Sequence, residues 1–155
     1  MEKPMDEAAV WSRVTAASRA DGGEVQDRGP IGPKLLELRE KKRRTAQEYQ
    51  RLAQRSQAHR KLLQAMAREN RRQAQELGAL YSFLTGSAPK NAALDARQRK
   101  ETQREAVRRL LQEEELSAGR LEALAERTQG EARALLLRLA EEDRQRFRKL
   151  LPVLG

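Results

Sequence analysis

Apolar side chains recur at the first and fourth positions of a seven-residue repeat between residues 34 and 84. Apolar pairs alternate with polar pairs along this repeat, so each kind of pair returns every 14 residues. The apolar pairs are Leu35/Leu38, Tyr49/Leu52, Leu63/Met66 and Leu77/Leu80. This spacing predicts a long amphipathic helix over residues 34–85 that packs as a coiled coil.

A second seam of the same kind predicts another coiled-coil helix over residues 92–151. Its apolar positions include Val107, Leu110, Leu121, Leu124, Leu135 and Leu139. Gly119 and Gly130 disfavour helix in the middle of this region and mark a bend. Pro152 ends the helix, because proline cannot continue the hydrogen-bond ladder, and leaves a short tail at 152–155.

The connection between the two seams contains turn-forming residues. Gly86 stands where a helix end favours a positive φ, and Pro89 follows shortly after it. We therefore expect a turn over residues 86–91. At the other end of the second helix, the apolar stretch 147–155 is expected to cover the open end of the helix pair near Ile31.

Two seams joined by a short turn predict an antiparallel helical hairpin. In the register with the shortest turn, Leu63 lies opposite Leu110 and Leu52 lies opposite Leu121. The alternative is a pair of rod segments in a parallel dimer. The expected fold is therefore all-α, with long coiled-coil helices in an antiparallel hairpin and a flexible N-terminal region.

Polar residues fall opposite polar residues in the same register. Asn70 faces Gln103, and His59 faces Glu114. We expect these four residues to form polar register layers, because a polar group in a core position costs stability but selects one helix alignment. A hairpin with so many polar layers buries little apolar surface, so we expect it to self-associate or to bind helical partner proteins.

Residues 1–33 differ from the seams in composition and are expected to be mostly disordered. Within them, residues 6–20 predict a short amphipathic helix. Its apolar face holds Val10, Trp11, Val14 and Ala17. Such a segment either docks into a partner's groove or packs back on the long helix. Residues 21–33 are rich in glycine and proline and predict a linker.

The composition narrows the classes of function. The chain of 155 residues has 35% charged and 3% aromatic residues, no cysteine, and His59 as its single histidine. A disulfide framework, a thiolate zinc site and a histidine metal cluster are therefore excluded within one chain. No apolar run is long enough for a membrane span. Phosphate-binding and dinucleotide-binding motifs are absent, so we expect neither a cofactor nor an enzyme.

The positive charge is concentrated on the first predicted helix. Residues 34–91 contain 14 basic and 5 acidic residues, and this excess of positive charge equals the net charge of +9 of the whole chain. Four consecutive basic residues, Lys41, Lys42, Arg43 and Arg44, predict a basic patch or a nuclear import signal. The alternative is a charged helix turn in which Lys42 faces Glu131. An acidic partner, such as a tubulin surface or nucleic acid, would be attracted to this helix.

These features together predict a non-enzymatic scaffold or interaction protein. It would bind helical partners and an acidic surface, in a microtubule, centrosomal or ciliary assembly, with a cytoplasmic or cytoskeletal location. The alternative is a nuclear regulator or nucleic-acid-associated factor that uses the basic helix.

Overall fold

The computed structural model describes residues 30–94 and 100–155. Its helices are α1 (Ile31–Arg55), α2 (Arg60–Thr85), α3 (Gln103–Glu126) and α4 (Gly130–Leu150), followed by a 3-10 helix (Leu151–Leu154). No strand occurs within these two ranges, so the described chain is all-helical, as predicted. The predicted N-terminal helix at 6–20 and most of the predicted linker at 21–33 lie outside the described residues, and residues 31–33 belong to α1.

The predicted single helix over residues 34–85 is instead two helices, and the chain reverses between them at residues 56–59. Ser56 leaves the helix with extended backbone angles (φ −128°, ψ 97°). The guanidinium of Arg60 donates hydrogen bonds to the carbonyl oxygens of Ala53 and Gln54, at 3.1 and 3.4 Å. These bonds, together with one from the Ser56 N–H to the Ala53 carbonyl at 3.3 Å, satisfy carbonyls in the last turn of α1.

The apolar stripe that predicted one long helix is buried within the chain by this reversal. One apolar cluster contains Leu35 and Leu38 of α1 together with Leu77 and Leu80 of α2. A second cluster contains Tyr49, Leu52, Leu63 and Met66. The apolar and polar pairs are arranged symmetrically on either side of residues 56–59. When the chain folds back there, apolar pairs of α1 meet apolar pairs of α2, and polar pairs meet polar pairs. A single straight helix could not bury its apolar stripe against itself.

The predicted second helix over residues 92–151 is also two helices. Gly130 begins α4 with a φ of +61°, a left-handed conformation that glycine adopts without strain. The hydroxyl of Thr128 donates a hydrogen bond to the carbonyl of Ala125 at 3.0 Å and so helps to end α3. The reversal therefore lies beside one of the two glycines that predicted a bend, whereas Gly119 lies inside α3.

The start of α3 is set by a capping box rather than by the turn region. The Thr102 hydroxyl accepts a hydrogen bond from the backbone N–H of Glu105 at 3.1 Å. The Glu105 carboxylate accepts one from the backbone N–H of Thr102 at 3.4 Å. Two otherwise unpaired N–H groups are satisfied in this way, so the helix begins at Gln103 and not near residue 92.

The predicted turn at 86–91 is replaced by a connection that runs back along α1. The predicted helix end at Gly86 is confirmed, with a φ of +72°. Beyond it, Arg39 and Arg43 donate to the carbonyl oxygens of Lys90 and Ala92, at 3.4 and 3.3 Å. Further along, Arg55 donates to the carbonyl of Glu101 at 3.2 Å.

The connection passes close to α2 at Gly78. A Cβ atom at Gly78 would lie 3.4 Å from Pro89 and 3.2 Å from the Arg39 guanidinium. The missing side chain leaves room for the connection, which accounts for a glycine inside this helix despite its cost of about 1 kcal/mol.

The crossover connection sets the directions of the helices. Gln103 at the start of α3 donates to the Ser56 hydroxyl at 3.1 Å, beside the end of α1. The two helices therefore run antiparallel. α4 returns along α3, where Arg144 pairs with Glu122 at 2.7 Å. α1 packs mainly on α2 and α3 mainly on α4, with α1–α3 and α2–α4 contacts between the two hairpins. The result is a four-helix bundle with antiparallel neighbours and a long crossover.

Nearly all the residues predicted to form the seams are buried. Thirteen of the fourteen are buried in the two apolar clusters, and Leu135 is half-buried. The register predicted between two long helices is wrong in part. Leu63 and Leu110 share a cluster, but Leu52 and Leu121 lie in different clusters, because Leu52 follows α1 to the reversed end.

The C-terminal tail also occupies a different place from the predicted one. Val153 and Leu154 pack against the cluster that contains Tyr49, and Arg104 donates to the Leu154 carbonyl at 3.0 Å. The expected contact near Ile31 is wrong, because α4 runs parallel to α1 and so ends at the opposite end of the bundle.

The reversal at 56–59 can be tested with a disulfide. A Cβ atom at Gly32 would lie 3.2 Å from the Cγ2 atom of Thr85. Gly32→Cys with Thr85→Cys should therefore form an intrachain disulfide, detected as a monomer whose gel mobility changes on reduction. In one continuous helix these positions would be about 80 Å apart.

A matched control places the second cysteine at the opposite end of the bundle. Gly32→Cys with His59→Cys should give free thiols in the monomer. Disulfide-linked dimers alone from the Gly32/Thr85 pair would contradict the hairpin and favour parallel rods.

Candidate interaction groove and buried charged layer

The four consecutive basic residues of α1 have different surroundings. Lys42 is buried, and its ammonium lies 2.6 Å from a carboxylate oxygen of Asp143. Arg43 binds a neighbouring glutamate and a carbonyl of the crossover connection. Lys41 and Arg44 line a surface groove. The stretch therefore does not form one continuous exposed basic patch, because successive residues of a helix point in different directions.

The groove lies between α1 and the second half of α3 and has a volume of about 700 Å³. Its apolar floor is formed by Leu38, Ala123 and Leu124. Charged residues line its sides: Lys34, Glu37, Lys41 and Arg44 on α1, and Arg120, Glu126 and Arg127 on α3. Five basic side chains thus face two acidic ones across an apolar floor.

Four of the five basic side chains in the groove are not neutralised within the described part of the chain. Lys34, Lys41, Arg44 and Arg120 form no hydrogen bond or ion pair with any residue in the described ranges. Their like charges on both walls disfavour closer approach of α1 and α3. A cleft lined by one sign of charge concentrates its field and attracts ligands of the opposite sign. The groove therefore suits a ligand with an apolar stripe and acidic flanks.

Beneath the groove, the two apolar clusters are separated by a layer of buried charged and polar residues, called here the charged layer. Arg146 donates from Nε to Glu114 at 3.0 Å and also pairs with Asp143, the partner of Lys42. The Tyr49 hydroxyl donates to the second oxygen of Glu114 at 3.1 Å. Two cations thus balance two anions, and each of these side chains is at most 3% exposed.

Gln73 of α2 connects the charged layer to the surface. Its amide oxygen accepts a hydrogen bond from Arg146 at 2.7 Å. Its amide nitrogen donates to the Leu139 carbonyl at 3.3 Å and to Glu142 at 3.1 Å. Glu142 pairs with Arg72 at 2.9 Å near the surface. All four helices therefore contribute to one connected network.

Some polar atoms of this region lack a partner in the described chain. Asn70 donates to the Met66 carbonyl at 2.9 Å, but its side-chain oxygen is buried without a hydrogen bond. One carboxylate oxygen of Asp143 and one guanidinium nitrogen of Arg146 are buried in the same way. Such atoms cost stability, so the charged layer selects an alignment more than it stabilises the bundle.

Burial changes the proton affinities of the charged layer. Burial raises the pKa of Glu114 above its ordinary value, against the opposing charges of Arg146 and Lys42. Burial lowers the pKa of Lys42, although Asp143 opposes this effect. Burial and the neighbouring Glu114 raise the pKa of Tyr49 well above its ordinary value, so its hydroxyl stays a donor.

The predicted polar register residues are separated by the fold. Glu114 belongs to the charged layer, and Asn70 is buried one helical turn from Gln73. His59 lies in the reversal at 56–59, and Gln103 contacts Ser56. The predicted pairings of Asn70 with Gln103 and of His59 with Glu114 are wrong, because the chain folds back at 56–59 and α1, not α2, lies beside the start of α3.

The predicted pairing of Lys42 with Glu131 is also wrong. Glu131 lies in the first turn of α4, whereas Lys42 contacts Asp143, which lies farther along the same helix. Sequence reasoning missed both Asp143 and Arg146. The signal was present, since α4 places five buried residues at alternating three- and four-residue spacing: Leu136, Leu139, Asp143, Arg146 and Leu150. Polar residues within such a buried stripe indicate a polar layer.

Comparison with protein-family models, curated proteins and solved structures found no match. Within residues 30–94 and 100–155, no group of three or more metal-ligating side chains is present. In the same part of the chain, no helix is long and apolar enough to span a membrane.

The balance of the charged layer can be tested with a double-mutant cycle. Lys42→Met removes one cation and leaves the layer negative, so it should lower the free energy of unfolding by about 3–5 kcal/mol. Lys42→Met with Asp143→Leu restores neutrality and should be more stable than Lys42→Met alone. Urea denaturation measures Lys42→Met, Asp143→Leu and the double variant. Two costs that simply add would show that these side chains do not depend on each other.

The raised pKa of Glu114 makes its contribution depend on pH. The folded protein holds the proton of this carboxyl more tightly than the unfolded chain does. Its contribution is therefore present at low pH and lost as pH rises through the raised pKa. The free energy of unfolding, relative to that of Glu114→Gln, should increase as pH falls from neutrality toward the ordinary carboxyl pKa of 4.5. A pH-independent difference between the two proteins would contradict the shift.

Proposed function

We propose that this protein is a non-enzymatic interaction module that binds an acidic amphipathic helix of a partner protein in the α1–α3 groove. The observation that carries the proposal is the combination of an apolar floor with four basic side chains that have no partner among residues 30–94 and 100–155. A helix laid in the groove would place apolar residues against the exposed Ala123 and the small accessible parts of Leu38 and Leu124, and acidic residues against both walls. This is the helix-in-groove mode of recognition.

Two further features support a partner helix as the ligand. The groove-lining residues of α1 extend from Lys34 to Arg44, about 15 Å along the helix, which suits an elongated ligand. Apolar residues at heptad spacing are buried in the bundle, and we propose that the partner helix packs on it in coiled-coil fashion. A scaffold of this kind would sit on an acidic assembly, such as a microtubule-associated, centrosomal or ciliary one.

A second candidate function is binding of nucleic acid by the outer face of α2. Lys61, Arg68 and Arg71 are exposed there and form no ion pair within the described chain. They lie along one side of the helix at helical spacing, as a row of phosphate contacts would require. Binding of nucleic acid by this face would suit a nuclear regulator, which is the alternative function predicted from the sequence.

The two functions can be separated with two matched pairs of charge reversals. A labelled peptide of three heptads, with leucine on one face and glutamate on its flanks, is titrated with the full chain and followed by fluorescence anisotropy. Lys41→Glu with Arg120→Glu should weaken binding at least tenfold, because attraction on both walls becomes repulsion. Arg68→Glu with Arg71→Glu carries the same change of charge and should leave binding within about twofold.

The same two pairs of variants also test the binding of nucleic acid. Equal loss of peptide binding in both variant pairs would reject the groove and leave only a general charge effect. Binding of duplex DNA that falls steeply with salt and is lost only in Arg68→Glu with Arg71→Glu would support the second function instead.

A further inference from the structure

We propose that the groove is occupied in the free protein by the chain's own residues 6–20, which compete with the partner helix. This inference rests on the proposed function, since it assigns a second occupant to the same groove. Residues 6–20 precede the described part of the chain. Their spacing of Val10, Trp11, Val14 and Ala17 provides the apolar stripe that the floor of Leu38, Ala123 and Leu124 requires.

The lengths agree with this arrangement. The part of α1 that lines the groove, from Lys34 to Arg44, is about 15 Å long, and residues 6–20 as a helix would span about 22 Å. Residues 21–30 connect that segment to the start of α1 and reach about 33 Å when extended. This is enough for the segment to fold back and lie antiparallel to α1.

The charges agree with the same direction. In an antiparallel arrangement Asp6 and Glu7 lie near the Arg44 end of the groove, where Lys41 and Arg120 also stand. Arg13 falls between the two ends, and Arg19 lies near the other end, where Glu37 and Glu126 stand together with Lys34 and Arg127. The opposite direction would place Arg19 at the Arg44 end, where the charged lining residues are all basic.

The covalent connection favours this segment over a second copy of the chain. A short flexible linker holds its attached segment at an effective concentration in the millimolar range. A contact between residues 6–20 and the groove is then populated in the free protein if its intrinsic dissociation constant lies below the millimolar range. A partner helix would have to displace the segment, so the apparent affinity of the groove for partners is reduced.

Trp11 is the single tryptophan and reports the occupancy of the groove in the full chain. Its fluorescence should be shifted to shorter wavelength and protected from acrylamide relative to a free peptide of residues 1–29. Lys41→Glu with Arg120→Glu should restore the emission and quenching of the free peptide. Arg68→Glu with Arg71→Glu should leave both unchanged. Circular dichroism and thermal melting confirm that each variant is folded.

Three results would overturn the inference. They are emission of Trp11 identical to that of the free peptide, protected emission that the groove variant does not alter, and protection that disappears on dilution. The last result would assign the groove to a second copy. Addition of the glutamate-rich peptide, which contains no tryptophan, should release Trp11 in the unmodified protein. This measurement does not depend on any variant.

The failure of this inference is distinguishable from failure of the proposed function. If Trp11 is exposed but the peptide binds with the expected loss in the groove variant, the groove binds partners and lacks an internal competitor. If Trp11 is protected by the groove but the peptide does not bind, the segment alone is its ligand. Trp11→Glu should tighten peptide binding severalfold where both proposals hold, because the competitor is weakened.

Discussion

The pairing of Lys42 with Asp143 and of Arg146 with Glu114 is the constraint on which the arrangement of the bundle depends. These charges are out of contact with water, and each would be costly to bury alone. Apolar clusters tolerate sliding of one hairpin against the other, because one leucine can replace another. The charged layer does not, since a shift would leave cations and anions without partners. The α1–α2 and α3–α4 hairpins therefore have one neutral alignment.

The same helical turn of α1 links the interior to the surface. Lys42 points inward to the charged layer, so Lys41 and Arg44 point toward α3 and into the groove. The alignment that neutralises the interior thus also places Lys41 and Arg120 on facing walls. The charged lining of the groove is therefore a product of the internal electrostatics, and a change in the charged layer would also alter the groove.

The sequence predicts helix content and burial well, because both follow from local spacing. The spacing of Leu35, Leu38, Leu77 and Leu80 identifies core positions whichever helix they meet. It does not predict the reversal at 56–59, where Gln57 and Ala58 favour helix and no glycine or proline interrupts the pattern. The reversal follows from packing between distant residues. The second wall of the groove exists because α3 lies beside α1, and no local sequence pattern predicts this packing. Thr102 and Glu105 do indicate where α3 begins.

The crossover between α2 and α3 has a consequence for the order of assembly. Each hairpin joins helices that are adjacent in the chain, and such contacts close with little loss of chain entropy. The contacts of α1 with α3 and of α2 with α4 join distant parts of the chain and require the connection to lie along α1. We therefore expect water to leave the Lys42–Asp143 pair, which joins the two hairpins, only when the hairpins dock. We expect this matching of charge, rather than the collapse of leucines, to limit the rate of folding.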